Sequence, residues 1–282
     1  MSNDTRRPGP WDRPSQTQPA PTAPAAPSDA VGAEPPLDKG QHPAIAIGGT
    51  VLFAGLIWWL TGSWIIAVAL IFGLLVHEYG HVLAMNRLGM GPARIYIIPM
   101  LGGVARAQRA PRSEWEGVIV AMAGPLFGLL ATIPFFALWL VLQDSMWLLG
   151  AFVIAMINLI NLAPAPPLDG SKALGPVLAR IHPWVEQGVM LAIGAVVIVW
   201  ALTRGSYIFG IFMVLALYSH MRRGPRDPYG RPLTNAESAK SIGLYLATAS
   251  ACAGVGLVAP TLLAGDPWQG LVAIANWLGL TR

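Results

Sequence analysis

The chain has 282 residues, of which 54% are hydrophobic and 11% charged, with a mean hydropathy of +0.55. A soluble protein carries about 25% charged residues, so an ordinary soluble domain is excluded and a polytopic membrane protein is indicated. The net charge of +4 does not point to nucleic acid, because the basic residues stand in short loops between apolar runs.

Residues 1–42 are rich in Pro, Ala, Ser and Gln and lack the apolar periodicity that builds a core, so a disordered tail is expected. No charged n-region followed by an apolar h-region opens the chain, so a cleaved leader is not expected. Seven apolar segments follow, at 43–61, 64–86, 117–142, 146–163, 185–203, 206–220 and 241–264. Each approaches the ~20 residues a helix needs to cross the hydrocarbon. Residues 265–282 are too few to span and read as an interfacial helix carrying Trp268 and Trp277. The lone cysteine, Cys252, excludes disulfides and cysteine-based metal sites.

Charge orients these segments. Arg87, Arg94, Arg106, Arg109 and Arg112 follow the second, Lys172 and Arg180 the fourth, and Arg222, Arg223, Arg226, Arg231 and Lys240 the sixth. The opposite loops are nearly bare of charge. The positive-inside bias then makes the N-terminus and the three basic loops cytoplasmic. Trp58, Trp59, Trp64, Trp139, Trp147 and Trp200 fall at the opposite ends, as an interfacial belt would. Between the second and third segments, Arg94 to Pro99 is rich in strand formers, and Leu101-Gly102-Gly103-Val104 reads as a turn into a second extended piece. The fold expected is all-α, about seven transmembrane helices with a small β-hairpin in this loop.

His77-Glu78-Tyr79-Gly80-His81 lies in the second segment. Residues four apart share a helix face, so both imidazoles can converge on one ion. Catalytic zinc uses three protein ligands and a water, and Glu78 stands beside the pair, where it can serve as base. Ionisable side chains in a membrane helix mark function by default, and three occur here within five residues. Gly80 would keep the helix slender for an approaching peptide. The fourth segment ends in Asn161-Leu162-Ala163-Pro164-Ala165-Pro166-Pro167-Leu168-Asp169-Gly170, where the prolines prevent an ordinary helix and display Asp169 at the level of the histidines. Asp169 reads either as a third ligand or as a helix N-cap. His42, His182 and His220 are read as non-functional. Gly124-Pro125-Leu126-Phe127-Gly128 is a small-xxx-small pattern suited to close helix packing.

These two motifs together resemble the site-2 protease family of intramembrane zinc metalloproteases, over about residues 64–175. Gly102-Gly103 and Ala123-Gly124-Pro125 add to the likeness. The resemblance is to the compact branch, without an inserted PDZ module or a nucleotide-binding regulatory domain. It implies zinc held by His77, His81 and Asp169, Glu78 as catalytic base, and Asn161 contacting the substrate or the developing oxyanion; a helix–helix hydrogen bond is the other reading of Asn161. It further implies a membrane-anchored protein substrate. A protease domain over 43–264 is expected, in a bacterial plasma membrane or, as the alternative, an organelle membrane. The competing readings are a zinc-binding but inactive membrane adaptor and, on other grounds, a metal transporter.

Overall fold

The computed structural model describes residues 40–98, 102–222, 224 and 230–277. The expectations for the proline-rich tail, for Pro99 and for the last residues lie outside these. Helix α1 (Pro43–Thr61) starts on a proline that presets the first-turn φ, with His42 accepting from the Ala44 N–H at 3.3 Å. It stops at Gly62, whose φ of 67° only glycine adopts freely. Ser63 caps α2 (Trp64–Arg87) by accepting from the Ile66 N–H. The hairpin follows: β1 (Arg94–Ile98) pairs antiparallel with β2 (Gly102–Arg106), Ile97 opposite Gly103 and Ile95 opposite Ala105.

The expected third span begins three residues earlier than its apolar run, at Glu114, because Ser113 caps there by accepting from the Glu116 N–H. It is also broken into α3 (Glu114–Leu130) and α4 (Ile133–Leu142). Thr132 turns its hydroxyl back onto the Leu129 carbonyl at 2.7 Å, and Pro134 at the start of α4 cannot donate to a continuing helix. Then come α5 (Met146–Asn161), α6 (Asp169–Ile181), α7 (Pro183–Thr203), α8 (Tyr207–Arg222), α9 (Asn235–Ala264) and α10 (Pro267–Trp277).

Among the described residues, five stretches are long and apolar enough to cross a membrane: α1, α2, Glu114–Leu142, α7 and α9, with α5 and α8 as shorter apolar helices. The molecule is a polytopic helical membrane protein with a small hairpin among the described residues. Helix α9 starts at Asn235, before its apolar run, because Thr234 and Glu237 form a reciprocal capping box; it continues through Pro260 without ending. Trp147 departs from the tryptophan belt. It is buried, edge-on to Trp64 at 5.7 Å and packed with Ile65, Ala69, Phe135 and Ile154. Ile274 of α10 buries with Ile57, Ile66 and Leu149, so this short helix is anchored into the bundle.

On the basic side the loops interlock. Arg231 donates its N–H to the Arg112 carbonyl at 3.1 Å and accepts from the Glu114 N–H at 3.0 Å, while the buried Glu114 carboxylate accepts from the Leu233 N–H at 3.1 Å. This ties the start of α3 to the entry of α9, around the cluster of Val118, Met122, Leu162, Ala173, Leu233 and Cys252.

Candidate metal centre

His77 and His81 stand one turn apart on the face of α2 that packs on α3 and α5, and both are buried. Asp169 reaches them from the first residue of α6. The prolines do break the chain after α5, but into a compact series of turns, so Leu168 rather than Asp169 occupies the N-cap position. The Asp169 carboxylate is thereby free for the histidines: its Oδ2 lies 3.1 Å from His77 Nε2 and 3.2 Å from His81 Nε2, and the two Nε2 atoms are 3.1 Å apart. Lys172, one turn along α6, donates to the other oxygen, Oδ1, at 3.3 Å.

The protons at this site are accounted for by its outer partners. His81 Nδ1 is 2.7 Å from the Val120 carbonyl, which can only accept, so Nδ1 carries the hydrogen. The Asn158 amide donates to the Ile154 carbonyl at 2.7 Å, which turns its Oδ1 to accept from His77 Nδ1 at 2.8 Å. In neutral rings so oriented, both Nε2 atoms present lone pairs, and they meet a carboxylate oxygen that is also a lone pair. Three acceptors in mutual contact repel unless a proton or a metal cation lies among them. Donors ~2.0–2.1 Å from a tetrahedral ion stand roughly 3.3 Å apart, close to the separations found. The residues fit a zinc ion, with each histidine oriented through its far nitrogen.

Small residues make room for this centre. A Cβ on Gly124 would sit 2.7 Å from His77 Nε2 and closer still to His81. One turn on, a Cβ on Gly128 would collide with the Asn158 amide. The small-xxx-small pattern thus serves the metal ligands as well as helix packing. Gly80 faces the Ala123 carbonyl of α3 rather than a peptide path, which corrects the expectation drawn from it. A Cβ on Gly103 would meet Glu78 Cγ at 2.5 Å, so β2 lies directly over the Glu78 side chain.

The Glu78 carboxylate comes within 4.8 Å of both histidine nitrogens, beside the triad of donors. Glu78, His77, His81, Asp169 and Asn161 all line one cavity of about 900 Å³. Asn161 is half-buried there, while the helix–helix bond to a histidine comes from Asn158, one turn earlier, which sequence reasoning missed. Its three-residue spacing from Asn161 was the available signal. Lys172 was also missed, though its i,i+3 offset from Asp169 was visible. His220, set aside from the sequence, lines the same cavity together with Glu186.

The hairpin's edges differ. The Ile97 N–H donates to Gln41 Oε1 at 2.9 Å, and Gln41 Nε2 donates to the Ile97 carbonyl at 3.2 Å. Both Ile97 groups therefore point away from β2. Its opposite residue Gly103, and Ala105 two residues on, then point theirs outward from the other edge. Gly103, Val104 and Ala105 line the cavity.

Residues 65–145 match the family model for peptidase family M50. Among curated relatives, Rip3 of Mycobacterium tuberculosis is 30% identical over 161 residues, covering 53% of this chain and 38% of its own length. Zinc metalloprotease MJ0392 of Methanocaldococcus jannaschii is 27% identical over 132 residues, covering 44% of this chain and 38% of its own. Stage IV sporulation protein FB of Bacillus subtilis is 25% identical over 179 residues, with coverages of 58% and 61%. This chain thus spans between about two fifths and three fifths of the length of these relatives. A solved structure, the site-2 protease from Methanocaldococcus jannaschii, aligns with a TM-score of 0.42 at 20% identity, over 64% of this chain and 88% of that one. The matched segment runs from α2 to just past α4 and carries the His77–His81 motif, and over it the chain is similar to peptidase family M50.

Proposed function

We propose that this chain is an intramembrane zinc endopeptidase that hydrolyses a peptide bond in or near a transmembrane segment of a membrane-anchored protein. The observation that supports this best is the convergence of three bare lone-pair donors from His77, His81 and Asp169 with Glu78 beside them, inside a cavity walled by apolar helices. Zinc bound there would supply a water of lowered pKa and polarise the scissile carbonyl. The residues would do the rest. Glu78 takes the water's proton and returns it to the leaving amine. Asn158 and the Val120 carbonyl hold the two imidazoles in the ligating tautomer. Asn161, on the cavity wall, donates to the developing oxyanion.

A helical carbonyl is hydrogen-bonded and shielded, so the substrate must unwind first. The outward N–H and C=O groups of Gly103 and Ala105 give an extended peptide a strand to pair with, over Glu78. The charge bias of the loops places this cavity toward the cytoplasm, so products would leave on that side. The expected domain limits follow the same reading: a protease unit over 43–264 with its catalytic core at 64–175.

The test is purification of wild type and Glu78→Gln, measurement of bound zinc, and cleavage of a co-expressed membrane-anchored substrate. Loss of cleavage with zinc retained is expected. A mutant that still cleaves would overturn Glu78 as base, and a wild type without zinc would overturn the metal centre. An inactive zinc-binding adaptor would keep zinc in both proteins and cleave with neither.

A further inference from the structure

The cavity holds a second pair of metal-ligating side chains that the proposed hydrolysis does not use. Glu186 lies in the first turn of α7 and His220 in the last turn of α8. Glu186 is 1% exposed, and the two side chains meet with Oε1 3.2 Å from Nε2. The contact is at ion-pair distance but lacks hydrogen-bond direction: Glu186 Oε1, Glu186 Oε2 and His220 Nε2 are all buried without a hydrogen-bond partner. A carboxylate taken out of water with no donor is costly, and more so at the end of a membrane-spanning helix.

The spacing indicates what would offset that cost. At the metal centre, the donors of His77, His81 and Asp169 stand 3.1 to 3.2 Å apart. Glu186 and His220 reproduce that separation with the same donor types, a carboxylate oxygen and an imidazole nitrogen. A basic substrate side chain would also satisfy the carboxylate, but it would leave His220 Nε2 unused. We propose that Glu186 and His220 form an accessory site for a divalent metal ion of the zinc class, in the same cavity as the first centre. With two protein donors instead of three, it binds more weakly and exchanges with the medium. The inference stands apart from the peptidase reading, since it needs neither Glu78 nor turnover.

Zinc content per chain tests it, on the full chain in detergent micelles, purified through a tag free of histidine and equilibrated over a range of buffered free zinc. The wild type is expected to reach a plateau of about two equivalents. Glu186→Gln and His220→Asn lose the weaker equivalent and keep the tighter one, whereas His77→Ala loses the tighter one and keeps the weaker. A wild-type plateau of one equivalent that His77→Ala removes overturns the accessory site, and this arm needs no variant of the α7–α8 pair to fold. A second equivalent that survives in both Glu186→Gln and His220→Asn overturns it too. Failure of the first centre instead shows as zinc uptake unchanged in His77→Ala, so the two readings fail separately.

Discussion

Asn158 on α5 accepts the Nδ1 proton of His77 on α2 at 2.8 Å, and its own amide is pinned to the Ile154 carbonyl one turn back. The pair fixes which His77 nitrogen faces the ion. Removing such an outer partner typically costs 10–100-fold in metal affinity. Asn158→Ala should therefore weaken zinc binding by about that factor while the chain still folds, whereas Asn158→Asp, which keeps an acceptor, should retain more of it. Competition with a chromophoric chelator measures both.

Gly124 should tolerate no side chain, for a reason that is local to the metal ligands. A methyl there enters the space of His77 Nε2 and His81 Nε2. Gly124→Ala should abolish stoichiometric zinc. Gly117→Ala, on the same helix with nothing within 4 Å of the added carbon, should leave zinc content unchanged. Metal analysis of the two proteins side by side checks the contrast.

Much of this centre was legible in the sequence, because a helix has a fixed period. Two histidines four apart must share a face, and Glu78 must then lie beside it. The proline run likewise announced a break before Asp169. What was not legible depends on which helix packs against which. Asn158 and the Val120 carbonyl matter only because α3 and α5 both lie on α2. The Glu186–His220 contact exists only because α7 and α8 are neighbours. Local propensity also misplaced helix ends: capping by Ser113 and by Thr234 with Glu237 extended α3 and α9 beyond their apolar runs, and Thr132 with Pro134 split a span that hydropathy reads as continuous.

Gln41 acts as a one-residue strand, closing the β1 edge at Ile97 with both ends of its carboxamide. One intramolecular hydrogen bond is worth ~0.5–1.5 kcal/mol net. Gln41→Ala should thus raise the hydrogen-exchange rate of the Ile97 amide by about threefold to tenfold, with amides inside α2 unaffected. An unchanged Ile97 rate would show that the hairpin is held by other contacts.

The orientation can be read with introduced cysteines, because the native Cys252 is buried and gives little background. Ser145 and Ala236 are exposed and lie on opposite sides of the helices as charge arranges them. In intact cells a membrane-impermeant maleimide should label Ser145→Cys and leave Ala236→Cys unlabelled until the membrane is opened. The reverse pattern would overturn the assignment of the metal centre to the cytoplasmic side.

Asp169 presents two oxygens to two different partners, and their unequal worth can be measured. Oδ2 faces the histidines in a buried site, whereas Oδ1 accepts from Lys172, whose side chain is 60% exposed. An exposed ammonium is screened by water and contributes at most ~1 kcal/mol, so Lys172→Met should weaken zinc binding by no more than about fivefold. Asp169→Asn removes the anionic donor itself and should reduce bound zinc below stoichiometric levels. If the two substitutions instead had equal effects, Lys172 would be positioning the carboxylate rather than merely neighbouring it. Restoration of zinc binding by Lys172→Arg would then be the check, since Arg keeps the charge and can still donate to Oδ1.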